Sequence, residues 1–301
     1  MCGAIACMLY RVYLPLVFVL FSACAQKPVQ ELKANDQFGW IYPGPENRTA
    51  RVIVIPQWHL APQTNTVYSK SAGLPQSQNQ LAIYRQLVEW IDTGRVQSVV
   101  VEGCEGEIDD SFRTSFNGWS LEALQKMSST ELDGVMTQVG LKIKARVGSK
   151  VRVLCGDDLA LIKKHQLILS DLRGLMGFRL RLAQYQNDEA KLTDYLSGAR
   201  GILKMAPETS GVEVSKELDA KLRAKLAEFR AVLRERNAAF VRVAKFAPAV
   251  SAVVIGAIHV TDLREQFKTQ NIASLTFEPR GLSGDENELL DQIEKLFKDQ
   301  K

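Results

Sequence analysis

Two of the three histidines in this chain follow runs of β-branched residues. His59 closes Pro56-Gln57-Trp58-His59 after the run RVIVI at 51–55. His259 closes Gly256-Ala257-Ile258-His259 after AVVI at 252–255. Two further runs end in acids: SVVV at 98–101 is followed by Glu102-Gly103, and VRVL at 151–154 by Cys155-Gly156-Asp157-Asp158. Two neutral imidazoles and a carboxylate are a common donor set for zinc, manganese, cobalt or iron. Such an ion turns a bound water into a nucleophile near neutral pH. Asp157 would serve that site as a further ligand or by orienting a histidine, and a second carboxylate would serve as general base. A glutamate ending a buried strand is costly unless paired or metal-bound. Arg236 and Arg280 are the candidate partners for Glu102 if it is paired instead. The third histidine, His165, follows Lys163 and Lys164 in a helical stretch and reads as a solvated surface residue.

These residues are far apart in sequence and converge only if the four runs are neighbouring strands. Each run is β-branched and lacks strict alternation, as expected of parallel strands covered on both faces. A fifth run, 274–277, precedes Pro279. Between the runs lie helical patterns. Residues 78–92 carry Leu81, Tyr84, Leu87, Val88 and Ile91 at helical spacing, with Gly94 as the stop. Residues 131–147 form a second helix. Residues 159–203 are helical with a break expected near Gly174 or Gly198, and 214–246 make a long amphipathic helix. Ser283 with Glu286 has the pattern of a capping box that opens a last helix. Alternation of this kind predicts an α/β domain, with a central parallel or mixed sheet flanked by helices. The block at about 158–248 is too long for one crossover, so it reads as a helical insertion or cap between the third and fourth strands. All the strand carboxyl ends then share one edge, where ligands bind. The cap adds a cleft above that edge.

The net charge of +4 is small for this length, and no long basic run occurs, so nucleic acid is not indicated. Arg11 is the only charge before Lys27, and the mostly apolar run 12–21 is too short to span a bilayer. Ser22 and Ala23 then precede Cys24. Basic start, apolar centre and small cleavage residues are the order of a signal peptide. Phe21-Ser22-Ala23-Cys24 resembles a bacterial lipobox, with Phe21 where leucine is usual. That resemblance implies a signal peptide at 1–23, a lipidated and palmitate-bearing Cys24, a tether at 24–36 and one domain at 37–301. Ala25 and Gln26 favour an outer-membrane address facing the periplasm. Either Met1 or Met8 serves as the start. Of the five cysteines, Cys104 and Cys155 lie outside the leader and lipid site. In an oxidising compartment they can pair, provided their strands are adjacent.

The motifs Pro56-Gln57-Trp58-His59 and Gly256-Ala257-Ile258-His259 resemble the paired GxxH motifs of the TraB/GumN and TIKI superfamily. Pro56 stands where the first glycine is usual. Val101-Glu102-Gly103 is similar to that family's strand-end glutamate, and Glu235-Arg236-Asn237 to its ERN-type motif. Read from the helix pattern alone, those last three are a charged, solvated turn. The resemblance implies a metal-dependent hydrolase, since TIKI members are membrane-tethered metalloproteases. It makes His59 and His259 metal ligands and Glu102 a ligand or general base. It gives Arg236 and Asn237, with Glu235 beside them, supporting or substrate-binding roles, and Trp58 beside His59 would line an aromatic pocket. The implied cofactor is divalent manganese, cobalt or zinc, and the implied partner a peptide or small-molecule substrate. ChaN lipoproteins, of the same wider superfamily, resemble haem-binding proteins, and Gln80, Tyr84 and Leu87 look like their opening helix. They offer a second expectation, a haem- or ligand-binding lipoprotein with a histidine or tyrosine facing an apolar pocket. A non-catalytic scaffold of the same fold is the third. It expects Glu102 to be neutralised by an arginine.

Overall fold

The β-branched runs become the centre of a sheet because helices cover both of its faces. The computed structural model of the protein describes residues 38–41, 51–58, 75–247 and 250–279. The leader, Cys24, the tether, His59, Arg280 and the Ser283–Glu286 pair lie outside the described residues. Strands β2 (Val52–Gln57), β3 (Ser98–Val101), β5 (Arg152–Gly156), β6 (Ser251–Gly256) and β7 (Ser274–Pro279) are parallel neighbours. Two short strands, β1 (Phe38–Ile41) and β4 (Glu105–Glu107), pair antiparallel at the two edges. The described sheet is therefore mixed, in the order β1-β7-β2-β6-β3-β5-β4. Every residue of β2, β3 and β6 is buried, which explains why none of them alternates.

Helices α1 (Pro75–Asp92), α2 (Leu121–Gln125), α3 (Ser129–Asp133) and α4 (Val139–Val147) pack on one face. Their apolar side chains meet Ile53, Ile55, Val99, Val101, Val153 and Val254. The helix expected over 131–147 is thus two. Ser128 and Glu131 form a capping box that opens α3, and Gly134 closes it. Helices α5 (Leu159–Gln184), α6 (Glu189–Leu203) and α7 (Gly211–Phe246) form the expected insertion between β5 and β6. The break in it falls at 185–188, and Gly174 and Gly198 lie inside helices. A helical glycine costs about 1 kcal/mol but does not stop a helix. Asp188, whose side chain accepts from the Lys191 N–H, sets where the chain restarts.

Helix α7 links the two parts of the molecule. Its 36 residues rise about 54 Å at the usual 1.5 Å each. Val214, Leu218, Leu222, Leu226, Phe229 and Leu233 build a separate apolar cluster with α5 and α6. Phe240, Val241 and Ala244 then pack on the second face of the sheet with α8 (Val260–Thr269), against Val54, Val100, Val253 and Ile255. Arg236 and Asn237 lie where α7 passes from one cluster to the other.

Candidate functional site

From β2 the chain moves through β3 to β5, then returns to the middle with β6 and crosses to β7. Right-handed crossovers in opposite directions place their helices on opposite faces. So α1 to α4 cover one face and α8 the other, and the carboxyl edge of β2, β6 and β3 is a topological switch point. Register sets the convergence. Gln57 is level with Gly256, and Val101 with both Val254 and Cys155. Glu102, one residue further, enters between the ends of β6 and β5.

There the Glu102 carboxylate meets neutral donors. Oε1 accepts from Gln57 Nε2 at 2.9 Å and Oε2 from the Gly256 N–H at 3.1 Å. Its main-chain carbonyl accepts from Gln138 Nε2. Gln57 is oriented in turn, since its Oε1 accepts from Gln80 Nε2 at 2.9 Å. Gln80 also donates to the Trp58 carbonyl, and the Trp58 N–H donates to Asn79 Oδ1 at 2.9 Å. The first turns of α1 thus fix the end of β2. Pro56 fits there because β7 pairs with β2 only as far as Val54, so among the described strands β6 alone pairs with the end of β2. Asn79 Nδ2 remains a buried donor without a hydrogen-bond partner.

His259 ends the short 3-10 turn Ala257–His259 that leads into α8, and it is 1 % exposed. Its Nε2 lies 3.8 Å from Glu102 Oε2. Its Nδ1 lies 2.7 Å from Asn237 Oδ1. Ligand atoms bonded to one ion at about 2 Å each sit roughly 3.3 Å apart at the tetrahedral angle. The Glu102–His259 pair is slightly wider than that, so a small side-chain shift would let both reach one divalent ion. Among the described residues no three His, Cys, Asp or Glu side chains form a metal-binding group. His59, the third expected ligand, is outside them.

Asp157 and Arg236 form a second, adjoining unit. Arg236 Nε and Nη2 donate to Asp157 Oδ1 and Oδ2 at 2.9 and 2.6 Å, and the Gly103 N–H also donates to Oδ2 at 3.0 Å. Asp157 thus holds Arg236 and the Gly103 turn in place of a histidine, and Asp158 beside it caps α5. Burial pulls the Arg236 guanidinium down. The hydrogen bond and charge of Asp157, with the charge of Glu102, outweigh this and hold it above its ordinary value. Arg236 is therefore committed to Asp157 and does not neutralise Glu102 by direct pairing. Nor is it available as a substrate clamp.

Three expectations need correction. His165 is buried, not solvated: its Nδ1 lies 3.2 Å from Arg236 Nη1 and its ring packs on Phe229. Arg236 and Asn237 are buried too, so the ERN turn is not a solvated one. Only Glu235 is exposed, turned away from the pair it adjoins in sequence. Tyr84 and Leu87 belong to the core under α1 and not to this edge. Cys104, two residues after Glu102, and Cys155, in β5 two residues before Asp157, are joined by a disulfide. Gln57, Asn79, Gln80, Gln138 and Asp262 are further polar side chains of the site among the described residues. Their sequence signal is modest: Gln57 lies within the first tetrapeptide, and Asp262 follows His259 by three residues. No family model, curated protein or solved structure matches this chain.

Proposed function

We propose that this protein is a metal-dependent hydrolase of peptides or related small molecules. It would be held at the outer membrane of a bacterial envelope, facing the periplasm, through a lipidated Cys24. The observation that carries the reading is the 3.8 Å approach of His259 Nε2 to Glu102 Oε2, a buried imidazole and carboxylate at a topological switch point. A manganese, cobalt or zinc ion held by Glu102, His259 and His59 would supply Lewis acidity and an activated water. The chain's own residues supply the rest. Gln57 and the Gly256 N–H hold the carboxylate of Glu102 in place. Asn237 aims the imidazole, and Arg236 with Asp157 ties α7 to the sheet edge. The polar surroundings of His259 favour a cation over haem, which calls for a ligand facing an apolar groove. A periplasmic address agrees with the Cys104–Cys155 disulfide.

The test is cleavage of a mixed peptide library by the full chain, read by mass spectrometry. Cleavage should vanish with chelator and return with manganese, cobalt or zinc. Glu102→Gln and His259→Ala should each lower the rate by about a hundredfold or more. Cleavage that ignores the chelator and both substitutions would contradict the assignment.

A further inference from the structure

The imidazole of His259 can hold its proton on either nitrogen, and only one choice leaves a lone pair on the side of Glu102. The choice is made by Asn237, which is fully buried on α7. Asn237 Oδ1 lies 2.7 Å from His259 Nδ1, and Asn237 Nδ2 donates to Asp262 Oδ2 at 2.8 Å. A second, longer contact runs from Nδ2 to the His259 carbonyl at 3.3 Å. An amide has two donors on one side and an acceptor on the other. A carboxylate facing Nδ2 therefore fixes which way the amide points. If the amide were reversed, its oxygen would face the Asp262 carboxylate. With Oδ1 facing the ring, Nδ1 carries a proton, and in the neutral imidazole the lone pair of Nε2 points toward Glu102. Asp262 is itself held. It accepts from Gln266 Nε2 at 2.7 Å on Oδ2 and from Arg234 Nε at 3.2 Å on Oδ1.

We infer that Asp262 is a positioning residue that acts through Asn237 to place the proton of His259 on Nδ1. The value of this arrangement to the site rests on the metal reading above. The chain of hydrogen bonds does not.

The experiment separates the two. Three histidines give a simple nitrogen NMR spectrum of the histidine-labelled full chain. Single His-to-Ala variants assign it, with chelator present at mildly alkaline pH. The wild type should show His259 protonated on Nδ1. Asp262→Ala should shift it toward a mixture of tautomers and weaken binding of added zinc or manganese by about ten- to a hundredfold, the usual effect of losing such an orienting partner. Asp262→Asn keeps an acceptor for Asn237 Nδ2 and should retain both the tautomer and the affinity. It also serves as the folded control. Wild-type His259 protonated on Nε2, or on both nitrogens, would overturn the inference. So would an Asp262→Ala spectrum identical to that of the wild type. If the tautomer depends on Asp262 but the wild type binds no metal, the positioning role stands and the metal reading fails.

Discussion

Buried polar side chains in this protein are divided by what holds them. Among the described contacts, Glu102 meets the neutral donors of Gln57 and Gly256 and His259 meets Asn237, whereas Asp157 and Arg236 cancel one another's charge. Burial of this kind was legible where it followed a strand run and illegible where charged neighbours masked it. His165 sits on the stripe 165, 168, 172, 175 of α5, whose other members are all buried. Lys163 and Lys164 beside it suggest exposure, but helical period decides and adjacency does not. Arg236 and Asn237 similarly fill a gap between Leu233 and Phe240 on the buried stripe of α7. A polar pair interrupting an apolar stripe is the signal that marks them. Lys142 is a buried residue that no motif or helical stripe singles out. Its Nζ donates to the Val135 carbonyl at 3.0 Å and lies 4.3 Å from the centre of the Tyr84 ring. These contacts favour the ammonium, but burial dominates and, against the charge of Asp133, pulls its pKa from 10.5 to about 8. Burial also pushes Tyr84 from 10.0 to about 12. Between about 8 and 10.5 the unfolded chain binds the Lys142 proton that the folded chain has released, so stability rises with pH. The full effect is on the order of 3 kcal/mol. Above about 10 the phenol reverses the trend, because only the folded chain keeps the Tyr84 proton. Urea midpoints of Lys142→Met should lie above those of the wild type at neutral pH, and the gap should close toward pH 10. Parallel curves for the two proteins would show that Lys142 does not titrate as described.

At the scale of elements, the site depends on how closely α7 approaches the sheet. Gly156 ends β5 under Phe240, a fully buried side chain of α7. A Cβ at position 156 would meet Phe240 Cδ1 at 2.2 Å and Val100 Cγ1 at 2.8 Å. The glycine is needed for this contact, which keeps Arg236 and Asn237 within reach of Asp157 and His259. Gly156→Ala should lower stability by roughly 1–3 kcal/mol, the usual cost of overpacking, with denaturant midpoints as the measurement. Adding Phe240→Leu should recover part of the loss. Unchanged stability in Gly156→Ala would show that α7 yields freely. The strands and the long helices were legible because β-branched runs and long apolar stripes are strong signals. The edge strands β1 and β4 were not, since four and three residues held by a neighbour's ladder leave no periodicity to read. The break between α5 and α6 was misplaced because a cap, Asp188, decides it and the glycines do not.

Over the whole molecule, one sheet carries two lobes, and their junction coincides with the strand ends that bear Glu102, Asp157 and His259. The order of strands, helices and insertion was legible in the sequence, and it suffices to bring those residues to one edge. The partner of each residue was not. Glu102 had two candidate arginines, and register together with the path of α7 gave Arg236 to Asp157 instead. The disulfide closes the β5 side of the same edge across 51 residues of chain. It ties the turn after Glu102 to β5 just before Asp157, as the adjacency of β3 and β5 allows. The central claim is that this edge binds a divalent metal. The most direct measurement is elemental analysis of the full chain purified without chelator, beside the His59→Ala/His259→Ala double variant. The account predicts about one transition-metal ion per wild-type chain, as a single three-ligand site requires, and none in the variant. Absence of metal from the wild type, even after addition of manganese, cobalt or zinc, would contradict it.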